Sequence, residues 1–311
     1  MTQLTAAICT FNRADRLRKL VQHLRQQDCP MPWEILIVNN RSTDNTQAVL
    51  EELADQDGVP LRFVREDAQG ITFARNRAIS EAIESDYLFF MDDDELPCPG
   101  ILSSACDALD REGADCVGGQ VKVSFAPGKR PDWLVDELLG FLAETNYGSD
   151  SFWISDLSTP LWTANIAYKT SIFRDDTALR FDHRYNRSGA VIGGGEDAIM
   201  FRELVARKMK VRYRPDMIVE HYVEDWRLKR SYFLKLHFES GKKYGQFSLS
   251  DYPRAVFGVP PFLITQAAVH TSKAALMTLG RDRLALRKAM TACHSFGTIR
   301  GCYLKWRNHR Q

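Results

Sequence analysis

The 311-residue sequence predicts an α/β fold, a mainly parallel sheet flanked by helices and followed by a C-terminal helical appendage. Three observations lead there. Short apolar runs alternate with amphipathic segments of helical length through the first third of the chain, as in a sheet covered on both faces. From Phe233 onward the pattern is helix-like, interrupted only at Pro253 and Pro260-Pro261. Charge divides at the same place. Residues 227–311 carry 16 Lys and Arg against Glu239, Asp251 and Asp282, a net +13, while 1–226 carries −12.

Taken in order, Leu4–Cys9 reads as a first strand. Asn12 is then a candidate N-cap for a helix with Leu17, Leu20, Val21 and Leu24 on one face. Glu34–Val38 is a second strand, leading through Asn39–Asp44 to a helix with Val49, Leu50 and Leu53 inward. Leu61–Val64 is the third strand, and Gly70 opens a helix bearing Ala74, Ala78, Ile79, Ala82 and Ile83. Tyr87–Met91 is the fourth strand, followed by a helix marked by Ile101, Leu102, Ala105 and Leu109.

After Cys116–Phe125 the alternation ends. Residues 126–160 form a long connection with Trp133, Phe141, Tyr147, Phe152 and Trp153, either a lid or acceptor rim or a satellite core. Thr163–Tyr168 is a possible strand. Gly193–Asp197 leads into a helix with Ile199, Met200, Leu204 and Val205, and Val211–Tyr213 and Ile218–Val219 read as two short strands. The expected division is 1–225, with a nucleotide-binding half (1–125) and an acceptor-side half (126–225), and then 226–311, a basic helical region.

The chemistry concentrates where the fourth strand stops, at Asp92-Asp93-Asp94-Glu95. Adjacent carboxylates repel and need water or a cation. In an extended chain Asp92 and Asp94 share a face and Asp93 takes the other, a pair of hard oxygen ligands suited to Mg²⁺ or Mn²⁺ carrying phosphates. A solvated acidic turn is the alternative. The loops Thr10–Arg13, Asn39–Asp44 and Asp92–Glu95 all fall at carboxyl ends of strands, where open α/β sheets bind ligands. Polar groups of these loops, among them Thr10, Asn12, Arg13, Asn39, Asp92 and Asp93, would gather on one edge as a nucleotide-sized crevice, and Arg75 could reach it. Glu196 and Asp197 form a second carboxylate site, although acids in a first helical turn also suit the dipole. One could take the proton of an attacking hydroxyl while a cation steadies a departing diphosphate. His221 is a further possible metal ligand. No Walker-type phosphate loop, nucleophile elbow, His-Glu-x-x-His or zinc spacing is present.

Together, Ala7-Ile-Cys-Thr-Phe-Asn-Arg13, Ile37-Val-Asn-Asn-Arg-Ser-Thr-Asp44, Ala74-Arg-Asn-Arg-Ala-Ile79, Phe89-Phe-Met-Asp-Asp-Asp-Glu95 and Gly194-Gly-Glu-Asp197 resemble the family-2 glycosyltransferases of the GT-A (Rossmann-like) fold. The resemblance covers roughly residues 1–225 and implies inverting transfer of a sugar from a nucleoside diphosphate donor with Mn²⁺ or Mg²⁺. It places Thr10, Asn12, Asn39 and Arg75 at the base and ribose. Asp92 and Asp94, as the DXD motif, would serve ribose, metal and diphosphate. Asp197 would be the general base and Glu196 its acceptor-binding neighbour. The family's usual Asp-Asp-Gly-Ser is here Asn39-Asn40-Arg41-Ser42. Asn can donate and accept at a base edge, so a UDP-sugar remains favoured.

The implied acceptor is a glycan or lipid-linked glycan in surface polysaccharide synthesis. An odd cysteine count without Cys-x-x-Cys fits a reduced, cytoplasmic chain, with no signal peptide and no spanning segment. The basic tail is expected to meet an anionic membrane surface, with Leu276, Leu279, Leu284 and Leu286 interspersed among its bases. No nucleic-acid motif accompanies the charge. A catalytically silent glycan- or membrane-binding protein and a metal-dependent nucleotidyltransferase are the competing readings.

Overall fold

The structure, a computed structural model, describes residues 3–187 and 194–308. Their chain divides into two compact units. One gathers the described residues of 1–124, 143–189 and 195–222, and the other those of 125–142, 190–194 and 223–311.

The first unit is built on one mixed sheet. Its opening half repeats strand and helix: β1 (Leu4–Thr10), α1 (Ala14–Arg25), β2 (Trp33–Asn39), α2 (Thr46–Ala54), β3 (Leu61–Arg65), α3 (Ile71–Glu81) and β4 (Tyr87–Asp92). Then come β5 (Glu95–Pro97), α4 (Ile101–Asp110), β6 (Cys116–Ser124), β7 (Phe152–Ile154), β8 (Asn165–Lys169), α5 (Ser171–Asp175), α6 (Glu196–Ala206) and β9 (Val211–Tyr222). The sheet order is β3-β2-β1-β4-β8-β6-β9-β5, with β7 on β9. β1 to β4 run parallel, β8 joins β4 and β6 antiparallel, and β6 runs parallel to β9.

Alternating side chains explain why these strands are apolar throughout. Ile8, Ile37, Phe89 and Met91 face α1, α2 and α4 through Leu17, Leu20, Leu50 and Leu109. Ala7, Leu36, Val38, Leu88 and Phe90 face α3 and α6 through Ala74, Ala78, Met200 and Leu204. A strand covered on both faces has no polar side to show.

Four expectations change. Asn12 does not cap α1. Arg13 holds that position, and Asn12, at φ +54°, turns its side chain to the Thr43 backbone N–H instead. The two short strands after α6 are one strand, β9. Pro215 does not end it because the pairing with β6 slips between Gly119 and Gln120, resuming at Ile218, so a bulge absorbs the missing donor. The acidic stretch does not stay extended. It turns at Asp93-Asp94 and doubles back as β5. Finally, Leu284 and Leu286 do not continue the stripe of Leu276 and Leu279, because the chain breaks at Gly280–Leu284.

The second unit contains α7 (Arg230–Lys243), a π turn at Tyr244–Ser248, α8 (Pro261–Leu279) and α9 (Ala285–Asn308). Trp133 and Phe141 belong here, against Phe233 and His237. Tyr147 and Phe152 pack on Tyr213 of β9 in the first unit. These four aromatics of the long connection are thus half-buried against other rings, not a bare rim. Among the described residues no helix is long and apolar enough to cross a membrane.

Candidate active site

β4 delivers Asp92 to the carboxyl edge of the sheet, beside Cys9 of β1. The following turn separates the acids, so that each finds different partners. Asp93 accepts from the Thr10 hydroxyl at 2.7 Å and has Arg13 Nε at 3.8 Å. Asp94 faces His221 Nδ1 at 3.4 Å. His221 arrives by the antiparallel pairing of β5 with β9, which sets it opposite Glu95.

Glu95 is buried. Its Oε2 accepts from the Asp92 backbone N–H at 3.0 Å, while Oε1 has no hydrogen-bond partner among the described residues and lies 3.7 Å from His221 Nδ1. Burial first, and then the charges of Asp92 and Asp94, push its carboxyl well above the usual range. Asp93 is raised by burial and by Asp94 in the same way.

Arg75 is the hub. It sits on α3, whose start is fixed by Asn40 accepting from the Gly70 N–H at 2.7 Å. Gly70 is at φ +139°, and a Cβ there would lie 2.0 Å from the Asn186 amide, so only glycine fits. From this anchor the guanidinium, 2% exposed, donates to Asp92 at 3.1 Å, Glu196 at 3.1 Å and Asp197 at 2.7 Å. Burial would discharge a lone cation, but Asp197, Asp92 and Glu196 more than offset that and raise its pKa. The ring of Phe181 covers it, 5.4 Å from the guanidinium carbon.

Glu196 and Asp197 open α6 after Gly195, which adopts φ +108°. Gly193 lies outside the described residues. Glu196 is buried, and burial followed by the adjacent Asp197 charge raises its carboxyl, against the pull of Arg75. The Thr163 hydroxyl donates to Asp197 Oδ1, the same oxygen that Arg75 contacts.

The candidate residues therefore form three linked groups: Asp92 with Arg75, Glu196 and Asp197; Asp93 with Thr10 and Arg13; Asp94 with Glu95 and His221. Asn12 and Asn39 instead close the neighbouring loops. Asn12 bonds Thr43, and Asn39 accepts from the Ser42 N–H at 3.1 Å and donates to Gln47 at 3.0 Å. Thr163 is the residue that sequence reasoning missed. It precedes β8 in an irregular loop, and the only signal was its place one step before a small residue and a buried Asn165.

Among the described residues no three His, Cys, Asp or Glu side chains stand close enough to hold a metal ion alone. The donor chemistry nevertheless fits Mn²⁺ or Mg²⁺. Such ions take one or two carboxylates and draw remaining ligands from water and substrate phosphates. The buried Glu95 Oε1, without a hydrogen-bond partner among the described residues, and the adjoining Asp92-Asp93-Asp94 run offer the hard oxygen donors such an ion takes.

The family model described as Glycosyl transferase family 2 matches residues 5–177. Succinoglycan biosynthesis protein ExoM of Rhizobium meliloti is 22% identical over 241 residues, covering 77% of this chain and 73% of ExoM. The uncharacterised glycosyltransferase YfnE of Bacillus subtilis is 32% identical over 106 residues, 34% of this chain. That stretch is 26% of YfnE, so the match spans about a quarter of that relative's length. Among solved structures, S. aureus TarS 1–349 aligns with a TM-score of 0.53 at 17% identity, over 98% of this chain and 92% of that one. Mannosyltransferase PcManGT from Pyrobaculum calidifontis, in complex with GDP-Man and Mn²⁺, aligns at 0.55 and 17%, over 93% and 73%. These likenesses show the GT-A fold. A family match across more than half of the sequence, on that fold, means that the chain belongs to glycosyltransferase family 2.

Proposed function

We propose that the protein is an inverting, divalent-metal-dependent glycosyltransferase. It takes a nucleoside diphosphate sugar, UDP-sugar favoured, and builds a glycan or lipid-linked glycan of a surface polysaccharide at the inner face of the cell membrane. The Arg75 bridge carries this reading. One buried cation ties Asp92, at the strand end suited to a donor diphosphate, to Asp197, at the helix start suited to an acceptor hydroxyl. The names of relatives support the setting: ExoM is a succinoglycan biosynthesis protein, and TarS has been solved with UDP-GlcNAc.

In this reading Asp197 removes the proton of the acceptor hydroxyl as its oxygen bonds to the anomeric carbon and the bond to the diphosphate breaks. A single displacement inverts that carbon. Thr163 and Arg75 both donate to Oδ1, and among the described residues no hydrogen bond reaches Oδ2. Oδ2 is thus the oxygen that receives the proton, and Thr163 is a positioning residue. A divalent cation would be held by one or two of Asp92, Asp94 and His221, with water and donor phosphate as its other ligands, and its chemistry would be to neutralise the charge of a departing diphosphate. Thr10, Asn12, Arg13, Asn39 and Asp93 border the nucleotide crevice, and Glu196 stands beside the acceptor.

A panel of nucleotide sugars with Mn²⁺, read by released nucleoside diphosphate, tests the proposal. A silent binding protein would release nothing, and a nucleotidyltransferase would release pyrophosphate.

A further inference from the structure

α8 presents an apolar surface that the described residues leave largely exposed, with Tyr252 packed edge-on against Phe262. Its inward side is narrow, formed by the buried Leu263, Ala267 and Ala274. Its outward side carries Phe262 (49% exposed), Ile264 (60%), Val269 (45%), Leu276 (69%) and Leu279 (82%). At about 100° per residue these five fall within one sector roughly 160° wide. In a soluble helix that sector is polar. Here the helix has no acid and one base, Lys273, at the edge of the sector. The turn before it adds Val256 and Phe257, also exposed.

Charge selects the occupant. Arg254 precedes the helix, Arg281 follows it, and both are exposed. A second copy docked on this face would bring Lys273 against bases, with no acid on α8 to pair it, and the neighbouring acid, Asp282, already accepts from the Leu284 N–H. Anionic headgroups supply the missing sign, and acyl chains take the leucines. The helix cannot span, so it lies flat.

We propose that α8 is the element by which the protein seats on an anionic lipid surface, with Phe262, Ile264, Val269, Leu276 and Leu279 at the acyl boundary and Lys273 and Arg281 among the headgroups. This deepens, and rests on, the membrane placement proposed above. The test is co-sedimentation of the full chain with phosphatidylcholine vesicles, with and without phosphatidylglycerol, alongside a Leu276→Glu/Leu279→Glu variant. Both positions are exposed and far in sequence from the catalytic residues, so melting temperature and nucleoside diphosphate release should not change.

The expected result is binding that requires phosphatidylglycerol, falls with salt and drops at least tenfold in the double variant. Unchanged binding by the variant would overturn the role of α8 while leaving membrane placement standing. Failure of the unaltered protein to bind either vesicle would overturn both. So would a dimer in light scattering that the double variant makes monomeric, with no vesicle binding, because the face would then serve a second copy.

Discussion

Replacing Thr163 by Val removes one hydroxyl at nearly constant volume from a site that is 2% exposed. The lost bond goes to a carboxylate oxygen, and a hydrogen bond to a charged group contributes about 1.5–3 kcal/mol. Arg75 still donates to the same oxygen, so the low end applies. About 1.5–2 kcal/mol corresponds to a 10- to 30-fold fall in kcat. The loss should appear in kcat and not in donor affinity, because Thr163 touches Asp197, the proposed base, and not the loops after β1 and β2. Thr163→Ser keeps the hydroxyl and should restore most of the rate. Release of nucleoside diphosphate at saturating donor, with isothermal titration of the donor and a melting curve for each variant, makes the measurement. A Val variant with unaltered kcat, or a Ser variant as slow as Val, would show that the contact does not position Asp197.

Asp197→Asn keeps the shape and removes the base, so kcat should fall roughly 10²–10⁴-fold with donor affinity nearly constant; an active Asn variant beside a dead Glu196→Gln would exchange the two roles. EDTA should abolish turnover and Mn²⁺ restore it, and Asp94→Ala should weaken donor binding as well as rate; full activity of that variant in chelator would refute metal dependence. Gly70→Ala forces both a strained φ and a collision with Asn186, and chemical denaturation should show a loss of about 1–3 kcal/mol. His237 is held neutral by burial, its pKa down at about 4. The unfolded chain therefore binds the extra proton between pH 6.5 and 4, and stability should fall as pH drops through that window. His237→Gln should flatten the profile, and an unaltered slope would assign it elsewhere.

The parallel half of the sheet was legible because its signal is local. Each strand is a run of buried residues, and each helix a stripe that covers it. The arrival of Asp92 at the end of an apolar strand was legible for the same reason, but the turn that parts Asp92 from Asp94 was not. What escaped depends on distant pairing. Nothing near Glu95 shows that it will lie opposite His221, and nothing near Thr163 shows that a hydroxyl will reach across to α6. The two short strands after α6 escaped recognition as one because their continuity through Pro215 depends on a slip in the distant partner strand β6. Asn12 misled because its side chain had two backbone targets, and the loop after β2 provided the better one.

The pairing of β5 with β9 also sets a timetable. Domains fold as their chains emerge, N-terminal part first. β1 to β4 and Arg75 all lie at or before Asp92 in the chain, so they emerge while most of the protein is still being translated, although Phe181 and α6, which cover one face of them, come later. At that stage Arg75 has Asp92 for company, but neither Glu196 nor Asp197 exists, and Asp94 and Glu95 have no His221. The pocket is finished only when Tyr222 has left the ribosome and β9 has closed against β6. In the proposed mechanism a half-made chain would thus carry the donor side of the site without its base.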